Sequence, residues 1–415
     1  MFDLERWQEI FDTIRKNKLR TFLTGLSVAS GIFILVILLG FGQGMQNGVA
    51  KEFSKDASNR IVVWTRSTTK EYKGLNPGRT IRLKNENNDF VKEQFSKDLD
   101  KESGRFRVPS TAVVFDNENL GYSVEGISSG YQFIENQFIS EGRYINQLDE
   151  AGAKKVAIIG KKIASEIDKD PKEIVNDYID ISGIRFKIVG IFGDVGGEGE
   201  EDRIFIPITT AQKVFNGADR INSLAYTLKP ADNFKASVEE SKIFTSNLLG
   251  YLKEAHIVSP EDNTAINVFN TLEESKRYFG LIGNIKFFFW FVGVCTIIAG
   301  VVGVSNIMLI VVKERTKEIG IRKALGAKPW AIIGMILHEA IFITAISGFT
   351  GLILGMGLLE LLGPYVELDY VVNPSVNFTV AISTVVLLIA AGALAGFFPA
   401  YRAANIQTIE ALRDD

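Results

Sequence analysis

Four long stretches without charged side chains constrain this chain more strongly than any other feature. Residues 21–46, 287–312 and 376–401 contain no Lys, Arg, Asp or Glu, Lys286 stands directly before the second of these runs, and residues 331–359 contain one acidic residue, Glu339. Each stretch exceeds the roughly 20 residues that a helix needs to cross the hydrocarbon core of a bilayer. The sequence therefore predicts four transmembrane helices, at residues 21–46, 286–312, 331–359 and 376–401.

The positions of the basic residues predict the orientation of these helices. The loop 313–330 holds six Lys or Arg against two Glu, and further basic residues lie in segments 1–20 and 402–415. The connection 360–375, between the third and fourth spans, has no Lys or Arg. Loops rich in basic residues stay on the cytoplasmic side of the membrane. We therefore expect both termini and the loop 313–330 in the cytoplasm, and residues 47–285 outside it.

Residues 47–285 alternate short β-type runs with helical patterns, which is typical of an α+β domain. The predicted strands are Ile61–Thr65, Thr111–Phe115, Lys155–Ile159, Tyr178–Ile181, Phe186–Phe192 and Arg203–Ile208. The predicted helices cover residues 86–100, 161–169, 209–215 and 232–254. Apolar stripes at both membrane-proximal ends of the domain predict helical stalks.

The predicted helices cluster at the two ends of this domain and the strands in its middle. We therefore expect two subdomains, a β-rich part at 111–215 and an α/β part formed by 51–110 plus 216–266. The predicted fold is a membrane protein with four transmembrane α-helices and a large α+β extracytoplasmic domain, of two subdomains, inserted between spans 1 and 2.

The segment 1–20 is a predicted cytoplasmic arm ahead of the first span. Its apolar residues fall on one helical face opposite acidic ones, so the arm is expected to lie in the membrane interface. A plain surface helix is the alternative. The apolar residues of this face are Leu4, Trp7, Ile10, Phe11 and Ile14.

The basic loop 313–330 is itself predicted to contain a helix. From Glu318 onward, apolar and basic residues alternate at helical spacing, Gly326 lies near the end, and Pro329 follows it, which is typical of a helix stop. A short amphipathic helix on the inner membrane face is a part that another protein can bind.

Several catalytic and binding classes find no support in the residues. No G-x-x-x-x-G-K-[ST] phosphate loop occurs, so the chain offers no ATP site of that type. The dipeptide His338-Glu339 begins a zinc-peptidase motif, but residue 342 is Phe, so the second ligand is missing. With a single cysteine, Cys295, and a net charge of −3, we expect no catalytic residues, no cofactor site, no metal site and no nucleic-acid partner.

Three stretches resemble the MacB/FtsX-type permeases of ABC transporters, also called type VII or mechanotransmission transporters. They are NKLRTFLTGLSVASGI (17–32), KERTKEIGIRKALGA (313–327) and GFFPAYRAANIQTIEALRDD (396–415). The stretch YSVEGISSGYQFIENQFISEGRYI (122–145) is similar to the outer core domain of that family. The resemblance covers nearly the whole chain.

The resemblance implies a multi-pass protein of the bacterial inner (cytoplasmic) membrane with a periplasmic core domain. It implies a homodimer, or a heterodimer of two such permeases, on a dimer of MacB-type ATPase subunits that bind ATP and Mg²⁺. Relatives of the MacB type carry that ATPase before the first span, and only a short arm stands there in this sequence. We therefore expect the ATPase to be a separate chain and this chain not to be an enzyme.

The same resemblance places ATPase coupling on the basic loop. Within it we expect Ile319, Ile321 and Leu325 to supply apolar anchors, and Glu318 and Arg322 to steer the partner from the rim. The residues to which the family pattern assigns coupling are Glu314, Arg315, Glu318, Ile319, Gly320, Ile321, Arg322, Leu325 and Gly326.

The expected function is transmission of force from ATP hydrolysis to the periplasmic domain. Export or efflux of a drug, peptide or similar cargo, with a periplasmic adaptor and an outer-membrane channel, is the first expectation. Lipoprotein extraction and FtsX-like regulation of a cell-wall hydrolase are the alternatives within the family. A membrane-anchored sensor is a different class, and it would need an output domain inside the cell.

Overall fold

The computed structural model describes residues 18–53, 55, 57–109, 112–167, 169–195, 199–368, 370–376 and 378–407. The chain divides into two compact units, an outer unit, Ala50–Tyr278, and a membrane unit, Met1–Val49 with Phe279–Asp415. The predicted arm lies outside the described residues up to Asn17, as does the predicted tail beyond Gln407.

The helices are α1 (Lys18–Phe53), α2 (Asn85–Gln94), α3 (Tyr131–Ile134), α4 (Gln147–Ala151), α5 (Lys161–Glu166), α6 (Pro171–Ile174), α7 (Ile208–Val214), α8 (Phe234–Ala255), α9 (Thr271–Glu314), α10 (Thr316–Ala324), α11 (Pro329–Leu362) and α12 (Phe378–Ala404). A short 3-10 helix, Gly363–Tyr365, follows α11.

The strands are β1 (Arg60–Thr65), β2 (Leu83–Lys84), β3 (Leu99–Arg107), β4 (Val113–Phe115), β5 (Glu118–Leu120), β6 (Ser123–Ile127), β7 (Gln137–Gly142), β8 (Val156–Gly160), β9 (Tyr178–Ile181), β10 (Ile184–Asp194), β11 (Arg203–Pro207), β12 (Arg220–Ile221), β13 (Ser223–Leu228), β14 (Ile266–Asn270), β15 (Glu367–Leu368) and β16 (Val371–Val372).

Four of these helices are long and apolar enough to cross a membrane, as the uncharged stretches predicted. The candidate spans are Thr21–Phe53, Thr271–Glu314, Pro329–Tyr365 and Thr379–Ala404. The helix α9 has 44 residues, about twice what one crossing needs. Its N-terminal part therefore extends beyond the bilayer, as a helical stalk would.

Small residues allow the helices of the membrane unit to approach closely. Gly351 of α11 faces the backbone carbonyl of Ala29 in α1, which leaves no room for a side chain. A Cβ added at Gly396 of α12 would lie 2.6 Å from the Cβ of Ala340 in α11. Without water between them, membrane helices gain their attraction from such close contacts.

The outer unit is built on one twelve-stranded sheet with the order β14-β1-β13-β3-β6-β11-β8-β10-β9-β4-β5, and β7 pairs with β10. The strand β8 reads VAIIG, and all five of its residues are buried. A continuous apolar run of this kind is typical of a strand that is covered on both faces. It pairs in parallel with β10 and antiparallel with β11.

The six strands predicted from the sequence all correspond to strands of this sheet. The helix predicted at 86–100 is wrong at its C-terminal end, because α2 ends at Gln94 and β3 begins at Leu99. The sequence of β3, LDKESGRFR, is rich in charged residues and does not resemble a strand. Pairing with β13 and β6 on its two sides overrides that weak local preference.

The strand β3 also changes the interpretation of the two predicted subdomains. It belongs to the predicted α/β part, yet it pairs with β6 of the predicted β-rich part. One hydrophobic core contains buried residues of both parts, for example Ile61 and Ile188. The two parts are therefore ends of one continuous sheet and share its large core, and a second, smaller core that contains Phe192 and Phe205 lies within the predicted β-rich part.

A left-handed isoleucine ends helix α8. Ile257 has φ 51°, and the amides of Ile257 and Val258 donate to the carbonyls of Glu254 and Lys253. This pattern is the Schellman motif, which usually has glycine at the left-handed position. A β-branched side chain is disfavoured in this backbone conformation.

We predict that Ile257→Gly stabilises the outer unit by about 1 kcal/mol, because glycine removes the steric penalty of the left-handed conformation. The effect is measured by thermal unfolding of the full-length protein in detergent, with hydrogen exchange of the outer-unit amides as the readout. The matched control is Ile243→Gly, an exposed isoleucine inside α8, which should destabilise the unit by roughly 0.5–1 kcal/mol. A lower stability for Ile257→Gly would contradict the assignment of strain.

The second prediction concerns topology. In a Cys295→Ala background, cysteines introduced at the exposed positions Ser246 and Asn373 should react with a membrane-impermeant maleimide in cells whose outer envelope is permeable. A cysteine at the exposed position Lys317 should react only after the cells are lysed, because a basic loop stays inside. Labelling of the Lys317 variant in intact cells, without labelling of the Ser246 variant, would show that the orientation is the opposite one.

Candidate functional site

The basic loop 313–330 folds into a short helix between two spans. The helix α9 ends at Glu314, and Arg315 has φ −101° and ψ 12°, in the bridge region of backbone space. The helix α10 then runs from Thr316 to Ala324. Gly326 adopts φ 94°, and Pro329 starts α11, which confirms the predicted helix stop.

One face of α10 is open. Ile321 is 48% exposed and Leu325, which follows the last turn, is 84% exposed. Lys317, four residues before Ile321 in the same helix, is also exposed and lies on the same side. The exposed surface is therefore an apolar pair next to a cation, which suits a partner with an apolar pocket and an acidic rim.

The opposite face of α10 packs into the membrane unit. Ile319 is only 1% exposed and belongs to a core that also contains Val304, Ile336 and Ala395, and Gly320 is buried beside it. The expectation that Ile319 is an anchor for a partner is therefore wrong. Residues two apart on a helix point to nearly opposite sides, so Ile319 and Ile321 cannot share a face.

Ion pairs connect α10 with the third span. The guanidinium of Arg315 lies 3.2 Å from Oε2 of Glu339 in α11 and 3.0 Å from Oε2 of Glu318. Arg322 in turn lies 2.9 Å from Oε1 of Glu318. Glu318 and Arg322, expected as rim residues, thus pair with each other along the helix, while Glu314 is exposed.

A second connection joins α10 to the end of the fourth span. The ammonium of Lys323 donates to the backbone carbonyls of Ala404 and Ile406, at 2.8 and 2.7 Å. Ala404 is the last residue of α12. A cation is favourable there because the carbonyl groups at the C-terminus of a helix carry partial negative charge.

Sequence reasoning missed Lys323 and Glu339 as members of this site. From its place near the inner end of the third span, Glu339 is expected to be interfacial or hydrogen-bonded within the bundle, and the structure gives Arg315 as the partner of its carboxylate. Over the described ranges, no group of three or more His, Cys, Asp or Glu is arranged to hold a metal ion. A charge inside an apolar stretch is a signal that predicts a specific partner.

Two family models match this chain. The model of the MacB-like periplasmic core domain matches residues 21–242, which is more than half of the chain. The model of the FtsX-like permease C-terminal region matches residues 290–408, and these include α10. The chain belongs to the MacB/FtsX-type ABC transporter permeases.

Relatives of this permease include exporters. The macrolide export ATP-binding/permease protein MacB of Bdellovibrio bacteriovorus is 27% identical over 99% of this chain and 62% of its own length. The pyoverdine export ATP-binding/permease protein of Pseudomonas syringae is 27% identical over 99% of this chain and 60% of its own length. This permease thus spans about three fifths of the length of these two relatives.

Another relative has nearly the same length as this permease. An uncharacterized ABC transporter permease of Methanocaldococcus jannaschii is 25% identical over 98% of this chain and 96% of its own length. Among solved structures, the periplasmic region of MacB from Actinobacillus actinomycetemcomitans covers 55% of this chain and 96% of its own, with a TM-score of 0.43 and 15% identity.

The outer unit of this permease contains a buried polar cluster next to a glycine-rich loop. Glu200 accepts hydrogen bonds from Arg105 at 3.1 Å and from Tyr131 at 2.8 Å. Burial raises the pKa of the Glu200 carboxyl. The described end of the loop Gly193–Glu201 is therefore held to the sheet by its own acidic residue.

An open groove of about 790 Å³ lies elsewhere on the outer unit of the permease. The exposed side chains of Phe133 and Leu148 border it. Lys101, Glu102 and Arg143 also line it, so the lining carries both signs of charge and favours no particular charge on a ligand.

Proposed function

We propose that this permease is the membrane subunit of an ABC exporter whose ATPase is a separate chain. In this proposal ATP and Mg²⁺ bind to the partner, and two permeases, most simply two copies, stand on an ATPase dimer in the cytoplasmic membrane of a bacterium. The exporter names of two relatives support the export of a cargo. The permease relative of matching length supports a separate ATPase.

The observation that carries the proposal is the pair of opposite faces on α10. Its inner face is packed into the membrane core at Ile319, and its outer face presents Ile321 and Leu325 to solvent. An apolar pair exposed on a helix that is held in place is suited to a groove on another protein. In this role we call α10 the coupling helix.

The proposed mechanism is transmission of force. The four uncharged stretches contain a single acidic residue, and its carboxylate is bonded to Arg315. A carrier of charged solutes would need polar groups along a path through the spans. Closure of the ATPase dimer would instead displace the coupling helix, tilt the spans and move the outer units, which would drive a drug, peptide or similar cargo towards an adaptor and an outer-membrane channel.

The third prediction tests the docking surface. The double variant Ile321→Asp/Leu325→Asp should insert normally but lose its ATPase, because truncating a buried anchor costs on the order of 2 kcal/mol each. If they add, two such losses weaken binding by roughly a thousandfold. Co-purification of tagged permease with each ABC ATPase encoded beside its gene, followed by a titration of affinity, measures the effect.

The matched control makes the same chemical changes on the outer unit. Ile243→Asp/Leu148→Asp replaces one exposed isoleucine and one exposed leucine and should bind the ATPase as the parent does. Equal affinity of the Ile321/Leu325 double variant and the parent would show that α10 is not the docking surface.

A further inference from the structure

The coupling helix is attached to the membrane spans at both of its ends. At the N-terminal end, the Arg315 guanidinium bonds to Glu339, whose side chain is 3% exposed. At the C-terminal end, Lys323 bonds to the carbonyl of Ala404, the last residue of α12, and to that of Ile406 just beyond it. Between these two points, Ile319 is buried in the core of the membrane unit. These contacts all lie on the face opposite Ile321 and Leu325.

The contact at Glu339 is stronger than an ordinary surface ion pair. Both side chains are largely shielded from water, Arg315 at 17% and Glu339 at 3% exposure. Hydrogen bonds between ionised partners are roughly twice as strong as neutral ones, and a buried charge that loses its partner is strongly disfavoured. Glu339 therefore holds Arg315 in one position as long as both remain charged.

The two spans that receive these contacts are packed on each other. A Cβ added at Gly392 of α12 would lie 3.0 Å from the Cα of Ile341 in α11, and Gly348 of α11 is covered by Leu388 of α12. A displacement that reaches α11 or α12 therefore moves both. A helix tied to both of them cannot absorb a push by swinging on its loops.

We propose that Glu339 and the C-terminal carbonyls of α12 are the points through which the coupling helix moves the membrane spans. Arg315 and Lys323 are the positioning residues that make the connection. This inference rests on the proposed function, because the force on the coupling helix would come from the ATPase partner. The attachment itself is a property of the permease alone.

Hydrogen exchange of the α10 amides in the permease alone, in lipid nanodiscs, tests the attachment. In Glu339→Gln and in Lys323→Met, these amides should exchange about ten- to hundredfold faster, because a hydrogen bond to a charged group is lost. The matched control, Glu318→Gln, removes the other carboxylate at Arg315 but only within the helix, so exchange should stay within about twofold of the parent. Unchanged exchange in both Glu339→Gln and Lys323→Met overturns the proposal.

The second arm uses the ATPase found by co-purification. Glu339→Gln and Lys323→Met should keep the parent's affinity for it, because Ile321 and Leu325 are untouched, while permease-stimulated ATP hydrolysis at saturation falls at least about tenfold. Arg315→Lys keeps the positive charge at this position and should therefore retain part of the stimulation of ATP hydrolysis. The proposal is contradicted if both variants stimulate ATP hydrolysis as the parent does. It is also contradicted if their affinity for the ATPase falls by as large a factor as the stimulation.

The two arms separate the possible failures. If no ATPase binds the parent, the proposed function fails and hydrogen exchange still decides whether the helix is attached. If Glu339→Gln does not fold, Lys323→Met, which changes a contact at the end of α12, carries the test alone.

Discussion

The interior of the bilayer offers the chain no hydrogen bonds and solvates charge poorly, and the membrane unit is built around that constraint. Helices satisfy every backbone group within one segment, so the apolar stretches become α1, α9, α11 and α12. The same constraint determines what happens to the acidic group in the third stretch. Glu339 is stable there because Arg315 comes within 3.2 Å of it, and this pairing fixes where the coupling helix begins.

The outer unit is stabilised in a different way, because water surrounds it. There the hydrophobic effect drives burial, and one sheet carries the core from Ile61 in β1 to Ile188 in β10. Continuity depends on β3, whose backbone pairs on both sides although its side chains are largely charged.

The coupling helix combines the two environments. Its buried face is held by an apolar residue, an ion pair and a lysine on the carbonyl end of α12, and its open face has two apolar side chains next to the exposed Lys317. The proposed coupling role needs both attachment on one face and exposure on the other. Membership of the MacB/FtsX-type permeases and the geometry of α10 are separate observations, and the proposed coupling role rests on the second.

The sequence alone determined the four spans, the basic loop and the helix in that loop, because hydrophobicity, charge and turn residues act over a few neighbouring positions. It also indicated the family, through the resemblance of three stretches to the MacB/FtsX-type permeases. It also contained the information that Ile319 and Ile321 lie on different helix faces, although the apolar pattern suggested one group. Only the tertiary structure decided that Ile319 faces the core, that Glu339 receives Arg315, and that Lys323 bonds to the end of α12. It also decided that β3 joins the sheet. These contacts bring together residues far apart in the chain, and no local propensity encodes which distant group a charge or a strand edge will meet.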